Sequence, residues 1–102
     1  MENIKLQQLI WSSIAVDTDK AREISKTILQ KYNSSHSNIV IDFWDIKSII
    51  SEFIRSLLIP LINNKVNFTA SNFSTEKSEE MYKRIVKELE TLWTDNIKEI
   101  QL

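Results

Sequence analysis

Three carboxylates stand close together in one short stretch, Asp42, Asp45 and Glu52 within IVIDFWDIKSIISE (39–52). Carboxylates so placed do general acid–base work only in a closed, apolar-walled site that drives their pKa values apart. No nucleophile, metal-ligand set or phosphate cradle accompanies them. The single histidine, His36, lies in the polar run NSSHSN (33–38), where a solvated loop side chain is the simplest reading. A catalytic or metal role would need a nearby carboxylate or further ligands. Glycine is absent, which removes Gly-rich phosphate loops, dinucleotide fingerprints and nucleophile elbows, all of which need backbone that takes positive φ or approaches a ligand closely. Cysteine is absent too, so neither a disulfide framework nor a thiolate metal site exists. These residues read as a non-enzymatic chain with no metal and no cofactor.

Charge and length narrow the partners. The 13 Lys+Arg and 14 Asp+Glu are interspersed, with a formal net charge of −1, so phosphate neutralisation along a nucleic acid has no footprint. The start MENIKLQQLIWSS lacks the basic, long-apolar pattern of a signal peptide, and no run approaches the roughly 20 apolar residues of a membrane span. A soluble cytoplasmic protein is the expectation, without nucleic acid or membrane as partner. At 102 residues the chain fits one domain with one core.

The elements that would position the acidic stretch follow from periodicity. Asn3 to Val16 is open between a strand pair and a helix; Ile4 and Leu6 alternate with Lys5 and Gln7, and Ile14 and Val16 alternate again after Ser12-Ser13, so it reads as a strand or hairpin, with Trp11 as a core or edge aromatic. Asp17-Thr18-Asp19 is a helix start. Ala21, Ile24, Ile28 and Tyr32 then form one apolar stripe of about four turns, closed by a polar turn from Asn33. Ile39 to Phe43 reads as a strand covered on both faces, with Asp42 a loop-anchoring carboxylate. Trp44 to Ile50 reads as a loop. A helix from Ser51 carries Phe53, Ile54, Leu57, Leu58, Leu61 and Ile62, and is expected to kink or end at Pro60, which has no amide for the Ser56 carbonyl. Val66 to Ala70 is a half-buried strand. A terminal helix capped at Ser74-Thr75 carries Tyr82, Ile85, Leu89, Leu92 and Trp93. It either runs on towards Leu102 or breaks near Thr94-Asp95-Asn96. Without glycine, turns rely on Asn, Asp and Ser, as at Asn33-Ser34, Asn63-Asn64 and Ser71-Asn72. The sum is an α/β fold: a small mixed, largely parallel sheet of three to four strands, about three helices and a long C-terminal helix, in a single domain over 1–102.

This order of elements, with strand IVIDF, loop WDIKSII, helix SEFIRSLLIPLI and strand VNFTA, resembles the STAS-like domain, a small relative of the sulphate-transporter and anti-sigma-factor-antagonist fold. The likeness in order covers about Val16 to Leu89. At the level of residues it is concentrated in Ile39 to Leu58, in a hydrophobic strand ending Asp-Phe, a hydrophobic residue after two intervening positions (Ile46), and a Ser-x-Phe helix start. The resemblance implies partner switching with an ATPase-type protein kinase, and a phosphorylated serine at or next to Ser51. A phosphate there would meet the helix amides. The regulatory branch usually has an aspartate, two hydroxyl residues and a glycine where this chain has Ile50, Ser51, Glu52 and Phe53, and N-capping is the competing role for Ser51.

Two functional expectations follow. In the first, a protein partner docks on Trp44, Asp45, Lys47, Ser48, Ser51, Glu52 and Arg55, because tryptophan and arginine often carry interface energy. In the second, the chain is a small homo-oligomeric structural or inhibitory protein of the mobile-element kind, assembled through its C-terminal helix.

Overall fold

The computed structural model describes residues 2–35 and 38–101, with side chains over 3–32 and 38–91. The elements are β1 (Glu2–Lys5), α1 (Leu6–Ile10), β2 (Ile14–Ala15), α2 (Thr18–Ser35), β3 (Ile39–Asp42), β4 (Ser48–Ile49), α3 (Ser51–Asn63), β5 (Phe68–Ser71) and α4 (Glu76–Gln101). Strands β1, β3 and β5 form an all-parallel sheet in that order, and β2 and β4 form a separate two-stranded parallel ladder. The α/β class, the parallel sheet and the long final helix agree with the reading of the sequence. The opening segment is not a hairpin, because β1 and β2 belong to different ladders with α1 between them.

In the three-stranded sheet the register sets Ile4, Ile41 and Ala70 in one row and Asn3, Val40 and Thr69 in the next. Paired residues of parallel strands share a face, and successive rows alternate. The first row joins the core with Phe53, Ile54, Leu57, Leu58 and Leu61 of α3, Ile24 and Ile28 of α2, and Ile85 of α4. In the second row Asn3 and Thr69 are exposed and Val40 is half-buried. On β3 itself that second face is partly covered, since Val40 is half-buried and Asp42, which shares its face, is buried. The β-branched residues of Ile39–Ile41 suit a pleated strand whichever face is covered, and the main helical layer, with α3 packed against both α2 and α4, takes only one.

Two helix starts are capped as anticipated. Asp17 Oδ1 accepts the amides of Asp19 at 3.0 Å and Lys20 at 3.3 Å, and Thr75 Oγ1 accepts the Ser78 amide at 3.1 Å. Each satisfies first-turn donors that lack a partner within the helix. Helix α2 continues through Asn33–Ser35, so no turn begins at Asn33; His36 lies outside the described residues. Helix α4 is unbroken through Thr94–Asn96. The side chains of the proposed oligomerisation stripe, Trp93 through Leu102, lie outside those described.

Pro60 neither ends nor replaces the last turn of α3, which continues to Asn63. The reason comes from a different helix. Buried Ser25 of α2 places its Oγ 3.4 Å from the Ser56 carbonyl and in hydrogen-bond contact with the Leu57 carbonyl. The acceptor that proline deprives of an amide thus has a hydroxyl donor beside it.

Four residues stand in the left-handed region: Trp11 (φ 57°), Asp45 (59°), Lys65 (56°) and Asn72 (59°). Glycine would hold these positions without the steric penalty of about 1 kcal/mol that a Cβ brings. Asp45 and Asn72 are the residue types expected for such turns; Trp11 and Lys65 are not. Trp11 is also 88% exposed, which corrects its reading as a core or edge aromatic: it caps the C-terminus of α1 with its amide on the Gln7 carbonyl. No helix among the described residues is long and apolar enough to cross a membrane.

Candidate functional site

The carboxyl ends of parallel strands deliver their loops to one edge of the sheet. Here that edge is organised by Asp42, the last residue of the central strand and only 4% exposed. Its Oδ1 accepts the Trp44 amide at 2.9 Å and the Asn72 side-chain amide at 3.1 Å. One carboxylate therefore ties the loop after β3 to the loop after β5, which is the anchoring role foreseen for it. The chain then turns tightly, with the Ile46 amide on the Phe43 carbonyl at 3.0 Å and Asp45 in the left-handed conformation. Asn72 makes the corresponding left-handed step after β5.

Beneath the two loops lies an aromatic cluster. Phe43 stacks on Phe73 with centroids 4.6 Å apart, and Tyr82 of α4 meets them at 5.8 and 5.3 Å. Burial in this cluster, with a smaller contribution from the charge of Glu90, pushes the Tyr82 phenol up to about 12. Above the cluster opens a shallow cleft of about 420 Å³ lined by Trp44, Asp45, Asn72, Phe73 and Ser74. Trp44 is 57% exposed, and Lys5 Nζ from the end of β1 lies 6.0 Å from its ring centroid, the outer limit of a cation–π contact.

The residues expected to form one surface divide four ways. Trp44 and Asp45 line the cleft. Lys47 pairs with Asp45 at 3.8 Å, an exposed pair worth at most about 1 kcal/mol. Its amide bonds the Ser13 carbonyl at 2.8 Å, and that of Ser48 the same carbonyl at 3.2 Å, so Lys47 and Ser48 belong to the β2–β4 ladder and the expected loop contains a strand. Arg55 turns to α4, where its guanidinium meets Glu88 at 3.1 Å. Ser51 is the first residue inside α3, not its cap. Ile50 takes the cap position without a side-chain hydrogen bond, and the Ser51 hydroxyl donates to Glu52 Oε2 at 3.2 Å. The capping role for Ser51 is thereby corrected.

Asn72, Phe73 and Ser74 were not anticipated at this site. The signal that finds them is topological: if β5 lies parallel beside β3, the residues after Ser71 must stand next to those after Asp42. Chemically the cleft offers one exposed indole, one carboxylate, a hydroxyl and an amide. Asp42, Asp45 and Glu52 each have a different partner, and no group of three acidic or histidine side chains that could hold a metal occurs among the described residues. No protein-family model, curated protein or solved structure matches this chain.

Proposed function

We propose that the chain is a non-enzymatic protein-binding regulatory module of the STAS-like type, which docks a protein partner through the loop and helix start around residues 44–55. The observation that carries this reading is Trp44: a large indole left 57% exposed on a loop that Asp42 holds by its backbone. An exposed aromatic on a rigid support loses little freedom on binding, which is the usual character of an interface anchor. Asp45 beside it in the cleft, Lys47 and Ser48 at the β2–β4 ladder and Ser51 and Glu52 at the start of α3 are the polar contacts of this reading, with Arg55 the outlying one. Phosphorylation of Ser51 would add nearly two negative charges beside Glu52 and release the partner.

The test uses a partner captured from the native host and titrated against purified variants. Trp44→Ala is expected to weaken binding at least tenfold, and Ser51→Asp to weaken it in the same direction. A partner that binds a protein carrying both changes with unaltered affinity would overturn this surface.

A further inference from the structure

Residues Leu6 to Val16 contain no charged side chain in a chain that is 26% charged, and the β2 strand lies within this run. Exposed strand edges are ordinarily guarded by lysine, proline, a bulge or shortness; this one has neither lysine nor proline, and its two-residue length is the guard it keeps. In the parallel ladder the Ser48 amide bonds the Ser13 carbonyl and the Ile50 amide bonds the Ala15 carbonyl, so the backbone groups of Ile14 and Val16 point away from β4. Among the described residues the Val16 amide and the Ile14 carbonyl have no partner, and the Ile14 amide is met only by the Ser12 hydroxyl at 3.0 Å. Ala15 is buried on one face. On the other, Ile14 and Val16 remain 55% and 46% exposed, with Ile50 exposed beside them.

We infer that this edge pairs with the same edge of a second copy, antiparallel about a two-fold axis at Ala15. The geometry is self-complementary, as an isologous contact requires. Ile14 of each copy falls opposite Val16 of the other, and each such pair exchanges two backbone hydrogen bonds once Ser12 releases the Ile14 amide. Ser13 falls opposite Asp17 of the other copy, so the nearest charges brought together, Asp17 of one copy and Lys47 of the other, are of opposite sign. The product is a four-stranded sheet, β4-β2-β2-β4, with one apolar face built from Ile14, Val16 and Ile50 of both copies, to which the charge-free run adds the exposed Trp11. These side chains offer on the order of 400–500 Å² per copy, against about 800 Å² per partner in a standard interface. The dimer therefore belongs to the weak, concentration-dependent class. It uses neither the Trp44 cleft nor the C-terminal helix.

Sedimentation equilibrium of the whole chain from about 10 µM to 1 mM tests this. Wild type is expected to shift from monomer to dimer across that range. Ile14→Lys and Val16→Asp are each expected to weaken association at least tenfold. Together in one chain they set the new ammonium of each copy opposite the new carboxylate of the other, and are expected to restore association to within about threefold of wild type. Both positions are exposed, and circular dichroism of each variant checks that the fold is retained. Wild type that stays monomeric throughout, a dimer indifferent to either single change, or two single losses without rescue by the double variant would overturn the proposal.

Discussion

Pro60 and Ser25 lie on different helices, and the structure makes the tolerance of one depend on the other. Proline removes the amide that would bond the Ser56 carbonyl, and the Ser25 hydroxyl stands 3.4 Å from that carbonyl while also touching that of Leu57. Ser25→Ala takes away the donor in a fully buried place. A buried acceptor left unsatisfied costs about 1–3 kcal/mol, so a loss of about 2 kcal/mol is expected, a fall in melting temperature of roughly 8–16 °C in a domain of this size. Pro60→Ala returns an amide to the Ser56 carbonyl and removes the ring from the helix, for an expected gain of about 1–2 kcal/mol, less than the full interior penalty of about 3 kcal/mol because the site is in the last turn. With that amide restored, Ser25→Ala should cost only about 1 kcal/mol. Urea unfolding of the four proteins in the cycle measures the coupling, expected at about 1 kcal/mol. Additivity within about 0.3 kcal/mol, or a Ser25→Ala cost below about 0.5 kcal/mol, would refute the compensation.

Asp42→Ala strands the Trp44 amide and the Asn72 side chain together, and should lower stability by about 2–3 kcal/mol and speed hydrogen exchange at the Trp44 amide; unchanged exchange there would remove its organising role. Thr75→Ala should cost about 1 kcal/mol in urea unfolding by uncapping α4. The Tyr82 phenol holds its proton more tightly folded, up to about 12, than unfolded at 10.0, so its contribution is complete below pH 10 and is lost as the pH rises towards 12. Unfolding measured from pH 9 to 12 should show this alkaline decline, and Tyr82→Phe should flatten it.

What the sequence made legible is what repetition makes legible. The stripes of α2, α3 and α4 and the apolar run of β3 recur over enough residues for one face to announce itself, and the caps at Asp17 and Thr75 are local chemistry. Strands β2 and β4 are two residues each; no period can be counted over two residues, and their pairing joins positions far apart in the chain. The persistence of α3 through Pro60 depends on Ser25, which no local rule connects to it. Trp11 shows the same limit: its type argues for burial, but only the tertiary arrangement decides which way a left-handed cap points its side chain. At the candidate site the residues adjacent in sequence to Trp44 were legible, whereas Asn72 to Ser74 become neighbours only once β5 is laid beside β3. Arg55 is legible as a residue of the helix after the loop, but its ion pair with Glu88 joins that helix to α4, which no local pattern connects to it.

The strand order β1-β3-β5 bears on how the molecule is made. Because the spatial order of the strands is their order along the chain, each new strand's neighbour has already emerged, and none must be inserted between two that have paired. Such an order spares a nascent chain the threading step that an interleaved sheet demands, and it makes β3 the strand on which both ladders wait. Helix α4 arrives after all three strands and packs on α3. Until α4 has emerged, the flank of α3 that it covers has no partner from this chain.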